Sequence, residues 1–312
     1  MSENIRNVII LGSGCSGHTA ALYTARANLS PLVLEGHEPG GQLSLTTLVE
    51  NFPGFPEGVQ GPELIENMKR QASRFGAEYH TGHVISADLS RRPFTINLGK
   101  ETLQTKALII ASGASARWLG LANEQALIGH GVSSCATCDG FFFSGKPITV
   151  IGGGDTAMEE AMFLTRFATK VTLIHRREEF RASKIMLERA QRNPKIEFLM
   201  DTIVEDVHDA AQKEVTALKL RHVKTGLVWD FPTSAMFLGI GHNPNARMFE
   251  GQLDMDADGY LVTHGFVHTR VPGVFASGDV MDRRYRQAIT AAGTGCMAAL
   301  EVEKFLEAEG GH

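Results

Sequence analysis

The sequence predicts an α/β protein built from two Rossmann-like dinucleotide-binding domains, the second inserted into the first. Three observations carry this. Two strand, glycine-turn, helix motifs stand in register. A chain of 312 residues is long enough for two cores. Its 33 glycines indicate many tight turns and close backbone approaches.

The first motif begins with the apolar run Asn7 to Leu11, turns through Gly12-Ser13-Gly14-Cys15-Ser16-Gly17, and enters a small-residue helical stretch at Ala20, Ala21 and Ala25. The second repeats the plan from Ile148 to Ile151, through Gly152-Gly153-Gly154-Asp155-Thr156-Ala157, into Met158, Ala161, Met162 and Thr165. The offset is 140 residues, and it persists: the next apolar strands end at Leu34-Glu35 and Ile174-His175, each 18 residues after the last motif position. Glycines at these places admit a pyrophosphate to the helix N-terminus, where unpaired N–H groups and the positive dipole end favour an anion.

Between the motifs, Pro62 to Phe75 reads as a structural helix, with proline at its start, an apolar face at Leu64, Ile65, Met68, Ala72 and Phe75, and Gly76 as its stop. Alternating residues at Phe94, Ile96 and Leu98, and less regularly at Val215, Leu218 and Leu220, suggest an antiparallel meander in each copy. Each copy closes on an apolar strand and glycine turn, Leu108 to Gly113 and Met236 to Gly241, expected to be the two inter-domain crossings. A strand at Val274-Phe275-Ala276, the turn Gly278-Asp279 and a helix from about Thr294 to Glu307 return the chain to the first domain.

The ends of the second strands separate the ligands. An acid accepts hydrogen bonds from free ribose hydroxyls and repels a 2′-phosphate, so Glu35 indicates FAD or NAD(H). His175-Arg176-Arg177, with Arg181 one helical turn on, offers guanidinium forks to a phosphate and favours NADPH over NADH.

Composition narrows the function classes. A net charge of -5 with interspersed signs gives no electrostatic case for nucleic acid or a membrane surface. The N-terminus lacks the character of a signal or transit peptide, and no segment approaches eighteen apolar residues, so a cytoplasmic location is expected. Of four cysteines, only Cys135 and Cys138 lie close together. Such a pair reads as half a zinc site, a redox disulfide or two incidental thiols. Cys15 and Cys296 supply no second pair, and His264 and His268 form no recognised metal motif, so no metal site is expected. For the redox reading, two intervening residues allow both sulfurs onto one turn and lower a thiol pKa. Asp139 is a candidate acid/base for the accompanying proton, or a turn cap with Gly140.

Together these residues resemble the low-molecular-weight thioredoxin reductases, over essentially the whole chain. Gly40-Gly41-Gln42-Leu43, Glu50-Asn51-Phe52-Pro53-Gly54, Cys135-Ala136-Thr137-Cys138-Asp139-Gly140, His175-Arg176-Arg177, Gly278-Asp279-Val280 and Arg286-Gln287-Ala288 are similar to that family's motifs, in its order. The resemblance implies the pyridine nucleotide-disulfide oxidoreductase fold, with FAD on residues 1–115 and 244–312 and NADPH on residues 116–243. Gly12, Gly14, Gly17, Glu35, Gly41, Gln42, Leu43, Asn51, Gly113, Asp279, Gln287 and Ala288 would then serve FAD. Gly152, Gly154, Asp155, Thr156, His175, Arg176, Arg177 and Arg181 would serve NADPH. It further implies a homodimer that relays electrons to the Cys135/Cys138 disulfide and on to thioredoxin, the inserted domain pivoting near 113–120 and 239–245. One departure is Cys15-Ser16 where the family usually has Pro-Ala. The rivals are a related flavoprotein acting on another disulfide and, outside enzymes, a nicotinamide-sensing binding protein.

Overall fold

The computed structural model describes residues 5–36, 38–46 and 48–310. Parallel strands covered on both faces must be apolar on both, and β1 (Arg6–Leu11) meets this condition. Val8 and Ile10 enter one core with Ala20, Ala21 and Ala25 of α1 (Cys15–Arg26). Ile9 and Leu11 enter the opposite core with Phe94 and Ile96. β2 (Leu32–Leu34) and β3 (Glu78–His80) extend the parallel sheet beside β1, joined by α2 (Gly61–Arg74), which has proline in its first turn and buries Leu64, Ile65 and Ala72. β4 (Ser86–Asp88), β5 (Phe94–Asn97) and β6 (Thr102–Ile110) form an antiparallel meander, and the far half of β6 runs parallel to β1.

The chain then enters a second unit. It holds β7 (Val132–Ser133), α3 (Ala136–Asp139), β8 (Pro147–Gly152), α4 (Asp155–Leu164), β9 (Lys170–Ile174), α5 (Lys184–Gln191) and β10 (Ile196–Leu199). An antiparallel set follows, β11 (Thr202–Val207), β12 (Ala217–His222) and β13 (Val228–Pro232), and then β14 (Met236–Gly239). The parallel sheet has the order β7-β14-β8-β9-β10. Its strands again feed two cores, Ile148 and Val150 on one side and Ile151 on the other.

Back in the first unit, β15 (Val274–Ala276) pairs parallel with β6, and α6 (Ala288–Ala308) packs along α1. The sheet order there is β3-β2-β1-β6-β5-β4, with β15 also on β6. The two compact units are Met1–Ser115 with Asn243–His312, and Ala116–His242. At the crossings, residues 114–116 and 242–244 pair as a short ribbon.

α6 starts six residues earlier than its expected start at Thr294. Its first turns carry Ala, Thr and Gly with Ile289 turned outward, so no apolar stripe marks them. The start is set instead by a capping box, in which the Gln287 side chain accepts from the Thr290 N–H and the Thr290 hydroxyl accepts from the Gln287 N–H. No helix among the described residues is long and apolar enough to cross a membrane.

Candidate functional site

In the first unit the turn after β1 is shaped by glycines that admit no side chain. Gly12 has φ +107°, and a Cβ there would lie 2.3 Å from the Ala111 carbonyl oxygen; one on Gly17 would lie 1.9 Å from the Gly12 oxygen. Gly14 differs, because its Cβ direction is open to 4.0 Å. α1 starts there with no side-chain cap and no acid in its first turn, which leaves its end suited to an anion. The Gly40–Gly41 loop lies against this turn: the Gly40 N–H donates to Ser13 Oγ at 2.9 Å, and a Cβ on Gly41 would be 3.6 Å from Gly14 Cα. Leu43 packs with Cys15, Ile65 and Ala288, while Gln42 is exposed.

The structure brings Asn51 to Gln287, 236 residues away, with the Asn51 Nδ2 donating to Gln287 Oε1 at 3.4 Å. Gln287 caps α6 and Ala288 is its first residue. Gly113 has φ +70° and its carbonyl accepts from the Asn245 N–H at 3.0 Å, while Ser112 Oγ donates to the Asn245 carbonyl. Asp279 sits just past β15, beside the start of α1, where Ser16 Oγ donates to Ser277 Oγ at 2.7 Å. Its Oδ1 is buried with no partner, and burial, then the Asp282 charge, pushes its pKa up to about 7. An orphaned buried oxygen beside an uncapped helix end and an open glycine fits a polyhydroxylated dinucleotide.

Glu35 follows β2, its N–H bonded to the His80 carbonyl, and it is buried. Lys69 Nζ donates to its Oε1 at 2.7 Å and Thr81 Oγ1 to its Oε2 at 3.3 Å. Sequence reasoning missed both partners. They lie 34 and 46 residues away and carry no local signal.

The second unit repeats the open central glycine: nothing lies within 4 Å of a Cβ built on Gly154. Gly152 approaches the Gly239 carbonyl too closely for any side chain. α4 likewise has no side-chain cap, and Thr156 lies in its first turn. The segment bearing Arg181 is pinned here, since the Arg181 and Ala182 N–H groups donate to Gly153 O at 2.7 and 3.0 Å. Asp155 Oδ1 completes the link by accepting from the Ser183 N–H at 2.6 Å. Arg176, Arg177 and Arg181 are all exposed. His175 is not. Its ring lies where a Cβ on Gly153 would be 2.2 Å away, its Nε2 meets the Glu179 carbonyl at 3.0 Å, and burial lowers its pKa. It therefore supports the turn from beneath.

Cys135 and Cys138 form a disulfide with Cα atoms 5.3 Å apart. Cys135 caps α3; its N–H donates to Ser133 Oγ at 3.0 Å, and its carbonyl accepts from the Cys138 and Asp139 N–H groups. Cys138 is exposed, as are Phe141 and Phe142 just beyond. Burial raises the Asp139 pKa, partly offset by a hydrogen bond from the Ser133 hydroxyl. A carboxyl tuned upward beside a disulfide suits proton transfer. Among the described residues no group of three or more His, Cys, Asp or Glu could hold a metal.

Comparison with known proteins identifies the family. The family described as pyridine nucleotide-disulphide oxidoreductase matches residues 6–295. A thioredoxin reductase from Streptomyces coelicolor is 55% identical over 309 residues, covering 98% of this chain and 95% of that protein. The bifunctional thioredoxin reductase/thioredoxin of Mycobacterium leprae is 52% identical, over 99% of this chain and 68% of that one. A solved thioredoxin reductase from Streptococcus pyogenes superposes with a TM-score of 0.93 at 38% identity, covering 98% of this chain and all of the other.

Proposed function

The chain belongs to the pyridine nucleotide-disulphide oxidoreductases and, within them, to the thioredoxin reductases, and from that premise we propose that it passes electrons from NADPH through FAD and the Cys135–Cys138 disulfide to thioredoxin. The observation that carries this is the exposed disulfide on the same unit as the arginine-bordered cradle.

Residues 1–115 and 244–312 hold FAD, and residues 116–243 hold NADPH. When bound, the two cofactors supply the hydride and electron chemistry. The chain's own groups bind and orient them. The start of α1 faces a pyrophosphate, Glu35 accepts from a ribose diol, and Arg176, Arg177 and Arg181 hold a 2′-phosphate. Reducing the disulfide takes two electrons and two protons, and Asp139 carries a proton at the cysteine pair. The dithiol then attacks the disulfide of the partner, forming a mixed disulfide that the second thiol resolves. Because disulfide and nicotinamide cradle share one unit, the crossings near 113–120 and 239–245 serve as its pivot.

Phe141 and Phe142 offer a protein partner an apolar surface beside the cysteines. The fused relative, which names both activities, supports thioredoxin as that partner. The protein is a homodimer. Tyr23, Met297 and Leu300, each more than 40% exposed, form an apolar surface on α1 and α6 that supports this. Its place is the cytoplasm, where a dithiol reductase meets reduced nicotinamide.

The test sets NADPH-dependent reduction of thioredoxin beside that of small disulfides, in the native chain and in Cys138→Ser. Thioredoxin is the faster substrate, and the variant binds FAD and NADPH normally while losing disulfide reduction by on the order of a thousandfold or more. Full activity in the variant, or preference for a small disulfide, overturns the reading.

A further inference from the structure

The acid at the end of β2 belongs to a chain of side chains drawn from four elements. Lys69, on α2, places its ammonium 2.7 Å from Glu35 Oε1 and 4.8 Å from the centroid of the Tyr79 ring. Tyr79, on β3, has its hydroxyl 3.0 Å from His18 Nδ1. His18, on α1, is 1% exposed. Each member therefore limits the next. A lysine stem is flexible and rarely orients a partner by itself, but here the ammonium has a carboxylate on one side and an aromatic face on the other. Tyr79 in turn cannot swing away without breaking its bond to a side chain fixed in the core. Burial and the Lys69 charge push the His18 pKa down to about 4, so His18 adds no competing cation at neutral pH.

The remaining valences of Glu35 matter most. An ionised carboxylate has about four lone-pair sites. Lys69 occupies one on Oε1 and Thr81 one on Oε2, which leaves one on each oxygen. That is the acceptor pattern a vicinal diol requires. We propose that Lys69, clamped by Tyr79 and His18, is a positioning residue for FAD: it holds the Glu35 carboxylate in the single orientation that accepts both hydroxyls of the adenosine ribose. The proposal rests on the assignment of FAD to this unit.

The experiment uses the full chain stripped of flavin and measures binding of FAD and of an FAD analogue whose adenosine ribose lacks both hydroxyls. Lys69→Met weakens FAD about tenfold and leaves the analogue nearly unchanged. Lys69→Arg restores binding, and in a Glu35→Gln background Lys69→Met has no further effect. Tyr79→Leu, which removes the ring and leaves both charges, gives a smaller loss of the same selectivity and serves if the Lys69 variant does not fold. Undiminished FAD binding in Lys69→Met, or equal weakening of FAD and analogue, overturns the proposal. Failure of the native apoprotein to bind FAD at all overturns the flavin assignment instead, so the two failures are distinguishable.

Discussion

At the end of the second strand of the first cradle stands a buried carboxylate already held by Lys69 and Thr81. In the second the matching place is filled by buried His175, and just past it stand Arg176 and Arg177, with Arg181 beyond them, all exposed and without an ion pair among the described residues. The backbone plan is the same in both: apolar strand, clash-limited glycine, open central glycine, uncapped helix. What differs is how much is arranged before the ligand arrives. A preorganised polar site loses little entropy on binding and suits a cofactor retained through many turnovers. An exposed cationic rim attracts its ligand over a distance and releases it, as a substrate exchanged in every cycle requires.

The strongest test of that contrast is the double variant Arg176→Ala, Arg177→Ala. Two charge-assisted contacts to one phosphate are lost, so NADPH binding weakens about a hundredfold while NADH changes by less than about threefold. Titration of both nucleotides by tryptophan or flavin fluorescence measures this. Raising ionic strength has the same selectivity in the native protein, because screening the exposed arginines weakens their attraction for the additional 2′-phosphate charge that only NADPH carries. Equal losses for the two nucleotides would remove the difference between the cradles.

A second test addresses Asp279, whose buried Oδ1 has no partner in the first cradle. Asp279 has a raised pKa, from 3.8 to about 7, owing to burial and then Asp282. The folded apoprotein thus binds this proton more tightly than the unfolded chain. The resulting stability is present below about pH 4, declines as pH rises toward 7, and is gone above it. Asp279→Asn removes the ionisation, so the apoprotein of the variant melts several degrees higher than native apoprotein at pH 8 and nearly level with it at pH 4. Thermal melts at the two pH values decide it. A gain of the same size at both would assign the effect to packing.

Much of this contrast was legible in the sequence, and what was not has a common physical cause. Gly12 to Gly17 and Gly152 to Ala157 announce themselves because strand, turn and helix signals are local, and the register between the copies placed Glu35 opposite His175. Side-chain partnerships across the sheet have no such signature. Lys69 reads only as the polar face of α2, and Ser183, whose N–H ties Asp155 to the start of α5, reads as a loop residue. The His-Arg-Arg run likewise looked uniform, yet packing divides it: His175 fills the space beneath Gly153 while the arginines remain outside. The early turns of α6 escaped because their small residues face inward without periodic bulk.

The smallest effect is expected at the first residue after the open central glycine, where the two cradles differ again. In the second cradle this is Asp155, exposed and bonded to the Ser183 amide. In the first it is Cys15, 6% exposed, packed with Ile65 and Ala292, with a thiol pKa pushed up to about 12 by burial and then the Asp279 charge. A thiol that does not ionise is neither a nucleophile nor an exchange partner, so Cys15 fills space where Cys135 and Cys138 react. Alkylation of the reduced native protein at pH 8 should therefore label Cys135 and Cys138 and spare Cys15, as read by mass spectrometry of the digested chain. Cys15→Ala should keep thioredoxin reduction within about twofold, at a cost in stability of about 1 kcal/mol for the lost sulfur contacts. Rapid labelling of Cys15 in the folded protein would show instead that the first cradle opens as readily as the second.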